Sequence, residues 1–245
     1  MKIIDEKVRE AVYSRGREVS RTRLTQAWDD FMRYIVLLPV QILTHTPITG
    51  NQVSALSIIT RLLVAVCFSI GNIWYYALGI VFIIISEIGD WIDGAIARYR
   101  NEVSVLRCGF LCRMYHIGTL SFILAGVGIG VYQSSQNPIY LFLGMFSGIV
   151  QQTTAYFLEL KNSLLLNNRF FATSNEIKKN FVKKDKKILG IFALPMECEI
   201  FYLAIIISII SNRLEWFLLF YGLYLPSRAL IFFIGTYQKL KKFER

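Results

Sequence analysis

The chain has 245 residues, of which 54% are apolar and 18% charged, and its mean hydropathy is +0.46. A soluble core of this size needs far less apolar material, so a water-soluble enzyme, a disordered chain and a secreted disulfide scaffold are excluded. The net charge of +10 invites nucleic acid, but no base-stacking or groove-reading motif accompanies it, and nucleic-acid binding is set aside.

In chain order, residues 1–30 are polar and of mixed charge, too hydrophilic for a cleaved signal peptide. Residues 31–43 are apolar but short for a span, which predicts an interfacial helix with Arg23, Asp29, Asp30 and Arg33 on its wet side. Six apolar runs follow, at 53–71, 73–89, 114–132, 138–158, 196–211 and 214–237. Each has about the length that crosses a hydrocarbon layer of roughly 30 Å as a helix. A basic loop, 161–187, separates the fourth run from the fifth.

Placement of the charge sets the expected topology. Of the 27 Lys and Arg, 24 precede Tyr34, lie between Arg98 and Arg113 or between Lys161 and Lys187, or follow Tyr237. With the amino terminus in the cytoplasm, all four groups fall on one side, as the positive-inside rule requires. The surplus is therefore mostly topological, with some attraction to anionic lipid head groups. The predicted fold is an all-α membrane protein of six transmembrane helices with an N-terminal cytoplasmic interfacial helix. Residues 1–44 form the cytoplasmic segment, 45–238 the membrane domain and 239–245 a basic cytoplasmic tail. Cys67, Cys108, Cys112 and Cys198 fall within the runs or at their cytoplasmic ends, where the reducing compartment argues against disulfides.

The informative stretch closes the second run: Glu87-Ile88-Gly89-Asp90-Trp91-Ile92-Asp93-Gly94-Ala95-Ile96-Ala97-Arg98. Acids at the end of an apolar helix are costly unless compensated, so they are functional candidates. Glu87, Asp90 and Asp93 recur every third residue and share one helical face. Two carboxylates at that spacing offer hard oxygen ligands suited to Mg²⁺ or Mn²⁺. Gly94 and Ala97 leave room for a bulky ligand against the backbone, and Arg98 supplies a fixed positive charge for phosphate.

The string Asp90-x-x-Asp93-Gly94-x-x-Ala97-Arg98 resembles the first half of the signature of CDP-alcohol phosphatidyltransferases, six-span enzymes of phospholipid synthesis. Upstream, Pro47-Ile48-Thr49-Gly50-Asn51-Gln52-Val53-Ser54 resembles the family's lead into its first span, and the likeness extends over roughly residues 45 to 160. The resemblance implies displacement at the phosphorus of a CDP-linked alcohol donor by an alcohol acceptor, with release of CMP, among membrane lipids. It also implies that Asp90 and Asp93 hold Mg²⁺ or Mn²⁺, that Asn51, Gly94, Ala97 and Arg98 line the donor, and that the protein is a homodimer. The expected location is a bacterial inner membrane, multi-pass, with the active site facing the cytoplasm.

The second half of the signature departs. Allowing one or two inserted residues, Leu111-Cys112 falls where the family has Leu-Asp and His116 where it has its last Asp; without a gap the two positions are Leu111 and Tyr115. A thiolate is a poor ligand for a hard cation, so Cys112 marks the position of a missing ligand. Glu87, one turn before Asp90, is a candidate replacement. An imidazole suits proton abstraction near neutral pH, which makes His116 a candidate base. Cys108, Cys112 and His116 share a helical face, yet a zinc site normally draws on two segments and no fourth ligand is evident. Arg61 and Arg228, inside apolar runs, are expected to contact an anionic substrate group or to pair with Glu197 or Glu199. Two competing readings are a catalytically impaired relative that binds nucleotide or pairs with an active paralogue, and an unrelated small transporter.

Overall fold

The computed structural model describes residues 4–13, 23–102, 111, 114–167 and 198–243. The described residues are helical, with no strand among them. In order they form α1 (Glu6–Tyr13), α2 (Arg23–Thr44), α3 (Gly50–Ser69), α4 (Ile73–Arg100), a π-helical turn (Met114–Gly118), α5 (Thr119–Ser135), α6 (Pro138–Asn167), α7 (Cys198–Ile210) and α8 (Leu214–Phe243). Among the described residues, three stretches are long and apolar enough to cross a membrane: Gly50–Ser69, Met114–Ser135 and Leu214–Gln238.

Local chemistry sets the helix limits. Thr49 opens α3 with a capping box: its Oγ1 accepts the Gln52 amide at 3.3 Å, and Gln52 Oε1 accepts the Thr49 amide at 2.9 Å. Gly71, at φ +72°, turns the chain, and Asn72 Oδ1 then accepts the Trp74 amide at 2.9 Å to start α4. The apolar run that ends near Gly89 does not end this helix. α4 continues for three further turns and stops where Asn101 adopts the left-handed conformation and Glu102 donates its amide back to the Ala97 carbonyl. The acidic motif therefore lies within one unbroken helix.

α5 is the central element, packed on α3, α6 and α8. Its glycines allow backbone to meet backbone. Gly126 abuts the main chain of Ala65, Gly130 abuts the Phe68 carbonyl, and a Cβ on Gly128 would stand 2.8 Å from the Gly144 Cα. Lipid chains are as apolar as leucine, so helices in a bilayer associate through such close van der Waals contact rather than through the hydrophobic effect. Around α5 an apolar cluster joins α3, α4, α7 and α8 through Phe68, Ile83, Leu124, Phe201, Leu218 and Tyr221.

A second cluster joins α1, α2 and α4 through Val8, Val12, Val36, Val40, Trp91 and Ile96. It corrects the expectation for α2. Asp29 and Arg33 are buried rather than on a wet side, because they share a face with Met32 and Val36, which α1 and α4 cover. Asp30 is exposed and holds Arg33 Nη1 at 3.0 Å, while the Arg33 guanidinium lies over the Tyr13 ring at 5.9 Å. The opposite face of α2 exposes Phe31, Tyr34, Leu38 and Ile42. α2 thus has two apolar faces.

Candidate functional site

The site forms where the second half of α4 meets the first turns of α3 and the π-helical turn before α5. α3 approaches α4 closely because a polar stripe faces inward at helical spacing. Ser54, Ser57, Thr60 and Arg61 are all buried; Ser57 and Thr60 donate their hydroxyls to carbonyls four residues back in α3, and Ser54 Oγ lies 3.1 Å from the Gly50 carbonyl. Gly89 permits the approach, since a Cβ there would overlap Ser57.

Asp90 and Asp93 are half-buried on the same stretch of α4. Ser54 Oγ donates to Asp93 Oδ2, fixing one carboxylate from α3. His116 Nε2 stands 3.5 Å from Asp90 Oδ1, bringing the π-helical turn to the other. The two aspartates, Ser54 and His116 therefore converge from three segments. Gly94 lies one turn beyond Asp90, and the Arg98 guanidinium lies back over it, with Nη1 3.1 Å from where a Cβ would be. Arg98 Nε donates to the Ala11 carbonyl at 2.7 Å. Ala97 is buried, and Asn51, in the first turn of α3, is half-buried.

Glu87 meets other partners. It pairs with Arg61, which is fully buried, and its Oε1 accepts the Tyr115 hydroxyl at 3.1 Å. Arg61 Nη1 also donates to the Tyr115 carbonyl at 2.7 Å, and its guanidinium stacks on the Tyr115 ring at 3.5 Å and faces Tyr202 at 5.1 Å. The Tyr115 hydroxyl reaches the Ser86 carbonyl at 2.8 Å as well. Hydrogen bonds to Tyr115 supplement this buried charge pair on both sides. It ties α3 and α4 to the residue that precedes His116. Arg61 thus finds its acid on α4; Glu197 and the side chain of Glu199 lie outside the described residues, as do Cys108 and Cys112.

Among the described residues, no three His, Cys, Asp or Glu side chains form a ready-made metal cage. Two adjacent carboxylates nevertheless suit a hard cation that completes its shell with water and substrate phosphate, the usual arrangement for Mg²⁺. An apolar cavity of about 640 Å³ opens between α2, α4 and α7, walled by Trp28, Phe31, Ile84, Ile88 and Leu203, with Glu87 on its lining.

Residues 48–107 match the family model for CDP-alcohol phosphatidyltransferase. The family transfers a phosphoryl-alcohol group from a CDP-alcohol and is known to use a divalent metal. The matched segment contains Ser54, Arg61, Glu87, Asp90, Asp93, Gly94, Ala97 and Arg98. It ends at Arg107, short of the 160 that the resemblance suggested and ahead of Cys112 and His116. No curated protein matches the chain.

Sequence reasoning missed Ser54 as an aspartate partner and Tyr115 as a partner of Arg61 and Glu87. A signal for the first was present: hydroxyls and an arginine at 54, 57, 60 and 61 form an inward stripe in an otherwise apolar helix, and such a stripe seeks protein partners. Tyr115 gave none, because its role depends on the π-helical turn, a feature often found at functional sites.

Proposed function

We propose that the protein is a six-span membrane phosphotransferase that moves a phosphatidyl-type group from a CDP-linked donor to an alcohol acceptor, releasing CMP at the cytoplasmic face. The observation that carries this reading is the convergence of Ser54 and His116 on the two signature aspartates. The apolar cavity between α2, α4 and α7 supports a lipid-linked donor, since it offers an acyl chain a wall that is apolar except at Glu87. The exposed apolar face of α2 supports an interfacial position beside that cavity. Assembly is as a homodimer.

Asp90 and Asp93 would hold Mg²⁺ or Mn²⁺, which would supply positive charge to the phosphate oxygens. Ser54 fixes the Asp93 carboxylate so that its orientation need not be found at each turnover. Arg98, lying over Gly94, contributes charge to the pyrophosphate. The acceptor oxygen attacks phosphorus, the bond to CMP breaks, and the hydroxyl proton passes to His116 Nε2. Asp90 Oδ1, 3.5 Å away, steadies the imidazolium that results. Glu87 serves Arg61 rather than the cation.

The test is CMP release by purified protein given Mg²⁺ or Mn²⁺ and a panel of CDP-linked alcohols, compared with Asp93→Asn. Release that depends on metal and drops at least about 100-fold in the variant is expected. Nucleotide binding without release would assign the chain to an impaired relative instead.

A further inference from the structure

The eight-residue helix α1 has no place in the donor chemistry described so far, yet it meets the signature directly. Val8, Ala11 and Val12 are buried against α4 and α2, and Lys7 Nζ lies over the Tyr99 ring at 4.4 Å. The start of the helix is tied to α2, where Gln41 Oε1 accepts the Asp5 amide at 2.9 Å. The end meets Arg98, whose Nε donates to the Ala11 carbonyl at 2.7 Å. That carbonyl lies in the last turn of α1, where main-chain oxygens lack helical partners and the helix dipole is negative, so a guanidinium is doubly favoured there.

The contact has a geometric result. A guanidinium on a flexible arginine stem samples many rotamers, but an anchored Nε fixes its plane. With Nε turned to Ala11, the Nη1 and Nη2 edge lies over Gly94, one residue from Asp93. We propose that α1 is a positioning element of the donor site, holding Arg98 by the Ala11 carbonyl so that its paired nitrogens face the nucleotide pyrophosphate across Gly94. This inference rests on the donor site proposed above. It assigns a role in nucleotide binding to residues outside the 48–107 match. A planar fork that is already oriented loses little freedom on meeting a phosphate, so docking of α1 raises affinity for the donor without touching it.

The experiment is a double-mutant cycle on the full chain in detergent, with CDP and Mg²⁺ as the probe and affinity read by calorimetry. Val12→Asp places a charge in the α1 contact, and release of the helix is followed by faster trypsin cleavage after Lys7 and Arg9. Arg98→Ala is expected to weaken CDP binding about tenfold or more, and Val12→Asp about three- to tenfold. The two together should match Arg98→Ala alone to within about twofold, because α1 acts through that side chain. Should Val12→Asp not give monodisperse protein, Gln41→Ala loosens α1 from its exposed end, and its smaller effect must likewise vanish in the Arg98→Ala background. Equal weakening by the α1 variant in both backgrounds overturns the inference and leaves the donor site standing. So does an unchanged CDP affinity in a variant whose α1 is cleaved quickly. Failure of the unaltered protein to bind CDP overturns the proposed function, and this inference with it.

Discussion

Replacing Arg61 by methionine gives the sharpest test of how the site is held. Arg61 is wholly buried, pairs with Glu87, donates to the Tyr115 carbonyl at 2.7 Å and stacks on the Tyr115 ring at 3.5 Å. Methionine has similar length and no charge. It leaves Glu87 with the Tyr115 hydroxyl at 3.1 Å but without its counter-charge. Breaking one side of a buried pair costs about 3–5 kcal/mol. At about 2–4 °C per kcal/mol for a chain of this size, the melting midpoint should fall by roughly 6–20 °C. Removing both charges should recover much of that loss, since the uncompensated ion is then gone. Intrinsic fluorescence melts of Arg61→Met, Glu87→Leu and the double variant, in detergent, supply the comparison. If the double variant melts at the sum of the two single losses, the pair is not coupled and the reasoning is refuted.

Three further outcomes follow from the geometry. Ser54→Ala removes the donor on Asp93; a hydrogen bond to a charged group is worth about 1.5 kcal/mol or more, so kcat/KM should fall about tenfold and half-saturation should need more Mg²⁺, with the melt little changed. His116→Ala should lower kcat about 100-fold or more while CDP affinity holds, as read from steady-state rates beside calorimetry. Gly128→Leu drives a side chain into the α6 backbone at Gly144, and a loss of about 1–3 kcal/mol or more should appear as a lower midpoint; a variant melting with the parent would refute the tight α5–α6 contact.

The sequence was most readable where chemistry is local. The turns near Gly71, Gln136 and Asn212 coincide with the breaks in the apolar runs, because a chain reverses where a left-handed residue or a capping asparagine permits it. The aspartate face was equally plain, since spacing of three on a helix places groups together whatever surrounds them. Partnerships across the sequence were not. Ser54 and Asp93 are 39 positions apart, Arg61 and Glu87 are 26 apart, and nothing in periodicity pairs them. The burial of Asp29 and Arg33 was missed for a related reason. Charge on a short amphipathic segment points to water when the segment is considered alone, and α1, polar on average, gave no sign that it would cover that face.

The three glycines of α5 carry a mechanical consequence. Where main chain presses on main chain, there are no side-chain ends to swing aside, and a helix so seated cannot slide or roll without colliding with α3 or α6. Whatever gap opens in this bundle must therefore be made by the periphery, with α5 as the fixed post.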